Sequence, residues 1–224
     1  MDKRITTQML KSFTLFEDLA EDDLKTILGF TRLFKSQRDQ ILLLDGEASD
    51  CLYFVLEGWF KAEKTSPEGR QQTLRFIGPK ETINELSVFS NKVSAVTVIA
   101  MEDARGFCIS REDVEKMLIR YPQFSRAVIR NLANRIQHLL SHVENLSLYP
   151  VDVRLARLLL DEAEEDVMTR PVWKTQTEIA NQLGTVLDVV NRNLQKLVQE
   201  GVIEMNRGEI KIIDRSALEK LAEI

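Results

Sequence analysis

The sequence predicts an α+β protein with a β-rich N-terminal domain, one long helix and a small C-terminal domain that contains a winged helix-turn-helix. Three patterns predict it. Short apolar segments alternate with turns up to about residue 109, an apolar repeat of the coiled-coil type follows residue 123, and two short helices precede a hairpin near the end. The expected boundaries are 1–123, 124–149 and 150–224.

The composition is that of a globular protein, with 224 residues, 44% hydrophobic and 29% charged. No apolar run approaches the roughly 20 residues that cross a bilayer, and the first residues form no signal-peptide core. We therefore expect a cytoplasmic protein without a membrane partner. Two cysteines, Cys51 and Cys108, are too few for an iron–sulfur cluster held by one chain, and we expect small buried side chains there, with a redox switch as the alternative.

The N-terminal domain opens with a helical segment in which Leu19, Leu24 and Leu28 recur at helical spacing. Closely spaced turns then separate strand-like segments, which is typical of an antiparallel barrel or sandwich. Ser110 and Asp113 resemble the start of a capped helix. The strand-like segments are Leu52–Leu56, Thr73–Ile77, Ala95–Ala100 and Gly106–Ile109.

The central helix, expected from about Phe124 to Leu148, carries a strict apolar repeat with spacings of 3, 4, 3, 4 and 3 residues. A helix packed on its own domain usually shows a wider apolar stripe, so the narrow repeat favours pairing with a second copy. The predicted dimerisation residues are Ile129, Leu132, Ile136, Leu139, Val143 and Leu146.

The C-terminal domain contains a capping box at Thr175–Glu178, a short helix ended by Gly184, and a second helix from about Leu187 to Glu200 that Thr185 is expected to cap. Two strands follow the second helix, joined by a turn at residues 206–209. A helix-turn-helix followed by a hairpin predicts a winged-helix DNA-binding domain.

Net charge does not favour nucleic acid, because the chain carries −5 and residues 151–224 carry 10 Lys+Arg against 14 Asp+Glu. DNA binding must therefore rest on where a few side chains lie. In the second helix Arg192 suits guanine, Asn191 suits adenine and Asp188 suits cytosine. Residues suited to the turn and to phosphates complete the predicted surface: Lys174, Thr175, Gln176, Thr185, Lys196 and Arg207.

An enzyme and a protein-binding module are the two alternatives to a DNA-binding protein. An enzyme is disfavoured because no Ser/His/Asp or Cys/His arrangement and no phosphate-binding loop is present, and only two histidines occur. A winged helix that binds proteins without binding DNA remains an alternative.

The whole chain resembles the cyclic-AMP-receptor/fumarate-nitrate-regulator (CRP/FNR) family. The resemblance rests on motifs in both terminal domains: Asp45–Glu47, Leu52–Gly58, Glu68–Gln71, Lys174–Ala180, Val190–Leu197 and Arg207–Asp214. It implies an N-terminal cyclic-nucleotide-binding-type β-roll (jelly-roll), a long dimerisation helix and a C-terminal winged helix-turn-helix. It also implies a homodimer on a palindromic double-stranded DNA operator, an effector that shifts the protein between two states, and, in many members, contact with RNA polymerase.

The effector pocket implied by the resemblance departs from the family pattern. Glu85, which matches the ribose ligand, is kept within Asn84-Glu85-Leu86, but Ser94 and Ala95 stand where the phosphate-binding arginine and hydroxyl residue are expected. Leu139 and Leu140 replace the hydroxyl residues that hold adenine. Cyclic AMP therefore loses partners at both ends, and we expect that it does not bind.

Three effector hypotheses stay open: haem in a sensor of nitric oxide or carbon monoxide, a small organic molecule, or a closed pocket. For haem, the only histidines are His138 and His142, four residues apart on the long helix, and surface positions are the alternative. The second helix of the C-terminal domain also departs from the family pattern, because Leu187-Asp188 stand where many members have an Arg-Glu pair. Since Leu187 suits a thymine methyl group, we expect a shifted operator preference.

Overall fold

The computed structural model describes residues 4–90 and 92–223, which form two compact units. The first unit extends to Lys64 and continues from Leu74 to Gln137. The second comprises Thr65–Thr73 and the chain from His138 onward. The division thus falls within the long helix. None of the helices among these residues combines the length and the apolar character of a membrane span.

The first unit contains two antiparallel four-stranded sheets, ordered β1-β8-β3-β6 and β2-β7-β4-β5, which confirms the predicted β-rich domain. Two short helices come before the strands, and one of them, α1, was not predicted. The elements are α1 (Thr7–Lys11), α2 (Glu21–Leu28), β1 (Thr31–Ser36), β2 (Ile41–Leu43), β3 (Cys51–Glu57), β4 (Phe60–Thr65), β5 (Gln71–Ile77), β6 (Thr82–Ile83), α3 (Glu85–Ser90), β7 (Thr97–Ala100) and β8 (Ala104–Ser110).

Alternate residues of the sheets serve two separate cores. Leu52 and Phe54 of β3 point toward α1, α2 and the following helices, where Phe54 stacks on Phe107 with ring centroids 4.6 Å apart. Val55 belongs to the second core, together with Phe60 of β4. This alternation follows from the period of two in a strand.

The long helix α5 spans Pro122–Leu148, close to its predicted bounds, and follows α4 (Arg111–Arg120). The hydroxyl of Ser110 accepts a hydrogen bond from the backbone N–H of Asp113 at 3.2 Å, which confirms the predicted cap of α4. The N-terminal part of α5 buries Phe124, Ala127 and Val128 against the first core.

The second unit contains the predicted winged helix-turn-helix. Its wing has three strands, ordered β10-β11-β9, although only a hairpin was predicted. Asn206 pairs with Glu209, so the β10–β11 loop has two residues, and Gly208 adopts φ 87°. The elements are α6 (Val151–Glu162), β9 (Val167–Thr169), α7 (Gln176–Leu183), α8 (Leu187–Gln199), β10 (Ile203–Asn206), β11 (Glu209–Ile212) and α9 (Arg215–Ala222).

One apolar core joins these elements. Leu155 of α6, Ile179 of α7, Leu194 of α8 and Ile210 of β11 are all at most 1% exposed and belong to the same cluster. Because this core fixes the position of α8, the residues on the opposite face of α8 form a surface with defined spacing.

Candidate DNA-binding surface and effector site

The turn between α7 and α8 is fixed by its ends. The hydroxyl of Thr175 accepts a hydrogen bond from the backbone N–H of Glu178, as the capping box predicts. Gly184 ends α7 in the left-handed region at φ 65°, which favours glycine. Contrary to the expectation from the sequence, Thr185 does not cap α8. Its N–H donates to the carbonyl of Ala180 at 2.9 Å, and Val186 stands at the N-cap without a side-chain hydrogen bond.

Helix α8 presents a row of polar side chains to solvent. Asp188, Arg192 and Lys196 are exposed and recur at four-residue intervals, so they share one face. Leu187, at the first turn, is 38% exposed. The opposite face is buried through Val190 and other apolar residues. The row therefore offers one acceptor and two cations at the spacing of successive helical turns.

Asn191 lies at the edge of this row. Its side chain is partly buried, and its Oδ1 atom receives no hydrogen bond from the residues that the structure describes. A buried acceptor without a partner is costly, and a donor from outside the chain would remove that cost. The position is compatible with the predicted contact to a base.

Lys174 does not fit its predicted contact with phosphate. Its side chain is 8% exposed, and its ammonium forms an ion pair with the carboxylate of Glu162 inside the unit. The neighbouring Thr175 is exposed, but its hydroxyl is engaged in the helix cap, and Gln176 is partly buried. Arg207, at the tip of the wing, is exposed as predicted.

Part of the acidic stretch at residues 161–166 is neutralised within the unit. Glu162 pairs with Lys174, and Asp166 accepts a hydrogen bond from Arg215 at 2.7 Å. Burial, followed by the nearby charge of Glu162, raises the pKa of Asp161. Each pair cancels one acidic and one basic group, so the net charge of residues 151–224 stays negative, and DNA binding still depends on where the exposed cations of α8 lie.

The predicted effector residues of the first unit centre on Glu85, which is buried at the start of α3. Its carboxylate already has partners. Arg135 of α5 forms an ion pair with it, with Nη1 2.8 Å from Oε2, and the hydroxyl of Thr82 also donates to it. Arg135 further donates to the Thr82 carbonyl at 3.0 Å and to Asn131 at 2.9 Å.

Arg75 of β5 completes this network by donating to the Thr82 carbonyl at 2.8 Å. Burial, followed by the charge of Arg135, lowers the pKa of Arg75. Sequence reasoning assigned no role to Arg75 or Arg135. The signal that was available is the spacing of Asn131 and Arg135, which a helix places on one face.

The other predicted pocket residues divide into buried and exposed groups. Asn84 adopts φ 78°, and its side-chain amide donates to the carbonyls of Cys51 at 2.9 Å and Ser49 at 3.3 Å. Ser94 is buried, and its hydroxyl donates to the Val96 carbonyl at 2.7 Å. Ala95 is partly buried, whereas Leu86 is 62% exposed. Neither residue 94 nor residue 95 supplies a positive charge.

The α5 repeat is largely uncovered within one chain. Five of its six apolar residues are exposed, and Leu132 is partly buried against the first core. Leu140 lies outside the repeat and is 64% exposed. The exposed repeat residues are Ile129, Ile136, Leu139, Val143 and Leu146.

The two histidines lie in the part of α5 that belongs to the second unit. His138 is exposed. His142 is partly buried, and its pKa is lowered by burial and then by the charge of Arg154. No group of three or more potential metal-ligating side chains (His, Cys, Asp or Glu) occurs within residues 4–90 and 92–223.

Comparison with known proteins agrees with this architecture. The cyclic nucleotide-binding domain family matches residues 33–121, and the Crp-like helix-turn-helix domain family matches residues 153–221. The chain is 25% identical over 214 residues to the cyclic AMP receptor protein of Thermus thermophilus, covering 95% of this chain and 98% of that protein. It is 26% identical to the CRP-like cAMP-activated global transcriptional regulator of Mycobacterium tuberculosis, covering 83% and 85%.

Solved structures share the fold. FixK2 from Bradyrhizobium japonicum superposes with a TM-score of 0.75 at 22% identity, covering 85% of this chain and 96% of that one. A CooA variant from Carboxydothermus hydrogenoformans superposes with a TM-score of 0.77 at 18% identity, covering 99% and 97%. With a cyclic nucleotide-binding domain followed by a Crp-like helix-turn-helix, this chain is a transcriptional regulator of the CRP/FNR family.

Proposed function

We propose that the protein binds a palindromic DNA operator as a homodimer and that cyclic AMP is not its effector. The observation that carries the first part is the exposed row Asp188, Arg192 and Lys196 on α8. A recognition helix reads the major groove with residues of its first turns, and arginine can donate two hydrogen bonds to guanine. Arg207 on the wing is placed to contact phosphate.

Dimerisation is supported by the uncovered repeat of α5. Ile136 is 57% exposed and Val143 is 58% exposed, although both are large apolar side chains. A continuous apolar row of this kind indicates an interaction surface, and its 3–4 spacing suits a second copy of the same helix. Two-fold symmetry of the protein then requires two-fold symmetry of the operator.

The case against cyclic AMP rests on the charges around Glu85. Arg135 and Thr82 already occupy its carboxylate, so a ribose hydroxyl would compete with an ion pair. Ser94 offers an incoming phosphate a hydroxyl that already bonds to Val96. Since Glu85 has its partners inside the unit, we propose that either the site is closed or its ligand is not an anionic nucleotide.

The haem alternative requires an axial ligand, and histidine is one of the side chains that serve as such. Exposed His138 and partly buried His142 are the histidines of the chain. Within the described residues, neither belongs to a group of three or more His, Cys, Asp or Glu side chains that could hold a metal ion. We therefore keep haem as an outcome to be tested, with its absorption spectrum as the readout.

The DNA proposal is tested by selecting binding sites from a random duplex library and then measuring affinity for the selected site. We expect a palindromic consensus that differs from the common family half-site. Arg192→Ala should lower affinity for it about 5- to 150-fold per half-site. Lys220→Ala, a change at an exposed residue of α9 outside the proposed surface, is the control. Failure to enrich any sequence would favour the protein-interaction alternative.

The effector proposal is tested by thermal unfolding of the purified protein with cyclic AMP, and by haem titration followed by absorption. A ligand at 100 times its Kd stabilises a protein by about 2.7 kcal/mol, so binding would raise the Tm clearly. We expect no rise at millimolar cyclic AMP. A rise would overturn the proposal, and a stoichiometric Soret band would make the protein a haem-based gas sensor.

A further inference from the structure

The sheet of the first unit brings together two cysteines that are distant in sequence. Strands β3 and β8 are antiparallel, with Cys51 opposite Ser110 and Tyr53 opposite Cys108. Residues 51 and 53 share one face of β3, and residues 108 and 110 share the same face of β8. Cys51 and Cys108 are therefore diagonal neighbours on one face of the sheet.

The hydrogen-bond pattern between β3 and β8 shows which type of residue pair contains each cysteine. The N–H of Arg111 donates to the carbonyl of Asp50 at 2.6 Å, one position beyond Cys51 and Ser110. Because bonded and non-bonded pairs alternate along an antiparallel ladder, the pairs that contain Cys51 and Cys108 are both of the non-hydrogen-bonded type. Side chains of opposite residues approach most closely at such pairs, and diagonal neighbours on the same face lie about 7–8 Å apart between Cα atoms, with their Cβ atoms closer. The two thiols are near enough that each shifts the pKa of the other.

The surroundings of the pair give the two sulfurs different roles. Cys51 is partly exposed, whereas Cys108 is buried. The hydrogen bond from Cys108 and the charge of Arg32 lower the pKa of Cys51 to about 7, against the opposing effects of burial and Asp50. The pKa of Cys108 is raised, since its proton is held in that hydrogen bond and its thiol is buried. Cys51 is thus the thiol of the pair that ionises first, and Cys108 stays protonated beside it.

A second contact connects Cys51 with the predicted effector residues. The amide of Asn84 donates to the Cys51 carbonyl at 2.9 Å, and Asn84 immediately precedes Glu85. Asn84 is held in the left-handed region at φ 78°. A displacement of Cys51 would therefore act on the segment that carries the buried Glu85.

We propose that Cys51 and Cys108 form a dithiol site that hydroperoxides oxidise to an intramolecular disulfide. The Cys51 thiolate attacks one oxygen of hydrogen peroxide, which breaks the O–O bond, yields a Cys51 sulfenic acid and releases hydroxide. The Cys108 sulfur then attacks the Cys51 sulfur, forming the S–S bond. The sulfenic hydroxyl group leaves with the Cys108 proton as water. The peroxide is the oxidant, and both thiols are oxidised.

The wild-type chain tests this proposal directly, because Cys51 and Cys108 are the two cysteines of its sequence. After treatment with hydrogen peroxide, we expect the intact mass to fall by that of two hydrogen atoms and to recover on reduction. In Cys108→Ser the reaction should stop at a sulfenic acid on residue 51, which dimedone traps. Cys51→Ser should react with peroxide at least tenfold more slowly than Cys108→Ser, because it lacks the low-pKa thiol, and it cannot form a disulfide within the chain.

The pH profile of the wild-type protein provides a second measurement that needs no variant. Alkylation of Cys51 by iodoacetamide should reach half its maximal rate near pH 7, since the pKa of Cys51 is about 7. The groups that face this sulfur are Arg32 on β1, Asp50 just before β3, Tyr53 on β3 and Cys108 on β8. A midpoint near that of free cysteine, a disulfide between two chains, or equal peroxide reactivity of both variants would overturn the proposal. This test does not depend on DNA binding.

Discussion

At the residue scale, Glu85 is a buried charged side chain of the first unit that is held by partners on other elements. Its carboxylate is 3% exposed, and Arg135 and Thr82 both donate to it. A buried charge costs several kcal/mol unless it is paired, so the pair is required wherever Glu85 is ionised. We infer that Arg135 stabilises the first unit without any ligand.

The pair leads to a prediction about stability. Arg135→Met should lower the free energy of unfolding by about 2–4 kcal/mol, below the full effect of an uncompensated buried charge because Arg135 is 26% exposed. Glu85→Gln combined with Arg135→Met should cost less than the sum of the two single changes. Urea unfolding of the four proteins in the cycle measures the coupling. Additive losses would show that the two side chains act independently.

Residue roles were predicted unevenly from the sequence. The exposed positions of Arg192 and Arg207 followed from helical and hairpin patterns, which depend on neighbouring residues only. Lys174 was misassigned because its partner, Glu162, lies on a different helix that the local pattern does not place. The Cys51–Cys108 contact was missed for the same reason, since strand pairing between β3 and β8 is non-local.

At the element scale, the turn between α7 and α8 sets the direction of the recognition helix. Gly184 ends α7 at φ 65°, and a Cβ atom there would lie 2.8 Å from Leu146 Cδ2 and 2.8 Å from Gln72 Oε1. Gly201 follows α8 at φ 71°, but a Cβ atom there would meet no atom within 4 Å. A comparison of substitutions at the two glycines therefore separates the energetic cost of backbone strain from the cost of crowding by neighbouring atoms.

We predict that Gly184→Ala destabilises the C-terminal domain more than Gly201→Ala does. Both changes place an L side chain in the left-handed region, at a cost of about 1 kcal/mol. Gly184→Ala adds displacement of two side chains, for a total of about 2 kcal/mol. Thermal unfolding of both variants provides the comparison. Equal shifts in Tm would mean that the neighbours of Gly184 move aside without cost.

The helix α5 leads to a prediction about assembly. Ile136→Asp places a charge in the middle of the apolar repeat of α5, which is the proposed dimer interface. Gln137→Asp places the same charge on a neighbouring exposed position outside the repeat. Sedimentation velocity should show a dimer for the wild type and for Gln137→Asp, and a monomer for Ile136→Asp. A dimer that persists in Ile136→Asp would place the subunit interface elsewhere.

Elements were predicted best where several local signals coincide. A cap marked α4, an apolar repeat marked α5, and a capping box with an apolar face marked α7, and all three helices lie where they were expected. Strand β9 was missed because it has three residues and exists only through its pairing with β11. The expected cap at Thr185 was wrong because its backbone N–H closes the end of α7 instead.

At the scale of the whole molecule, an acidic protein is proposed to bind a polyanion. The net charge of −5 repels DNA at long range, so affinity must come from a small number of cations in direct contact. Ion pairs such as Glu162–Lys174 and Asp166–Arg215 each cancel one acidic and one basic group, so they leave the net charge of the C-terminal domain unchanged. Salt dependence measures how many phosphate contacts remain.

The slope of the logarithm of the DNA association constant, K, against the logarithm of the salt concentration therefore depends on the number of phosphate contacts and on the number of protomers that make them. Each phosphate contact contributes about 0.9 to the slope on double-stranded DNA. Arg207→Ala removes one contact per wing, so a dimer that engages both half-sites should lose about 1.8 from the slope. Fluorescence anisotropy on the selected operator between low and moderate salt measures it, with Lys220→Ala as the control. A decrease of about 0.9 would mean that one protomer touches DNA, and an unchanged slope would remove the wing from the interface.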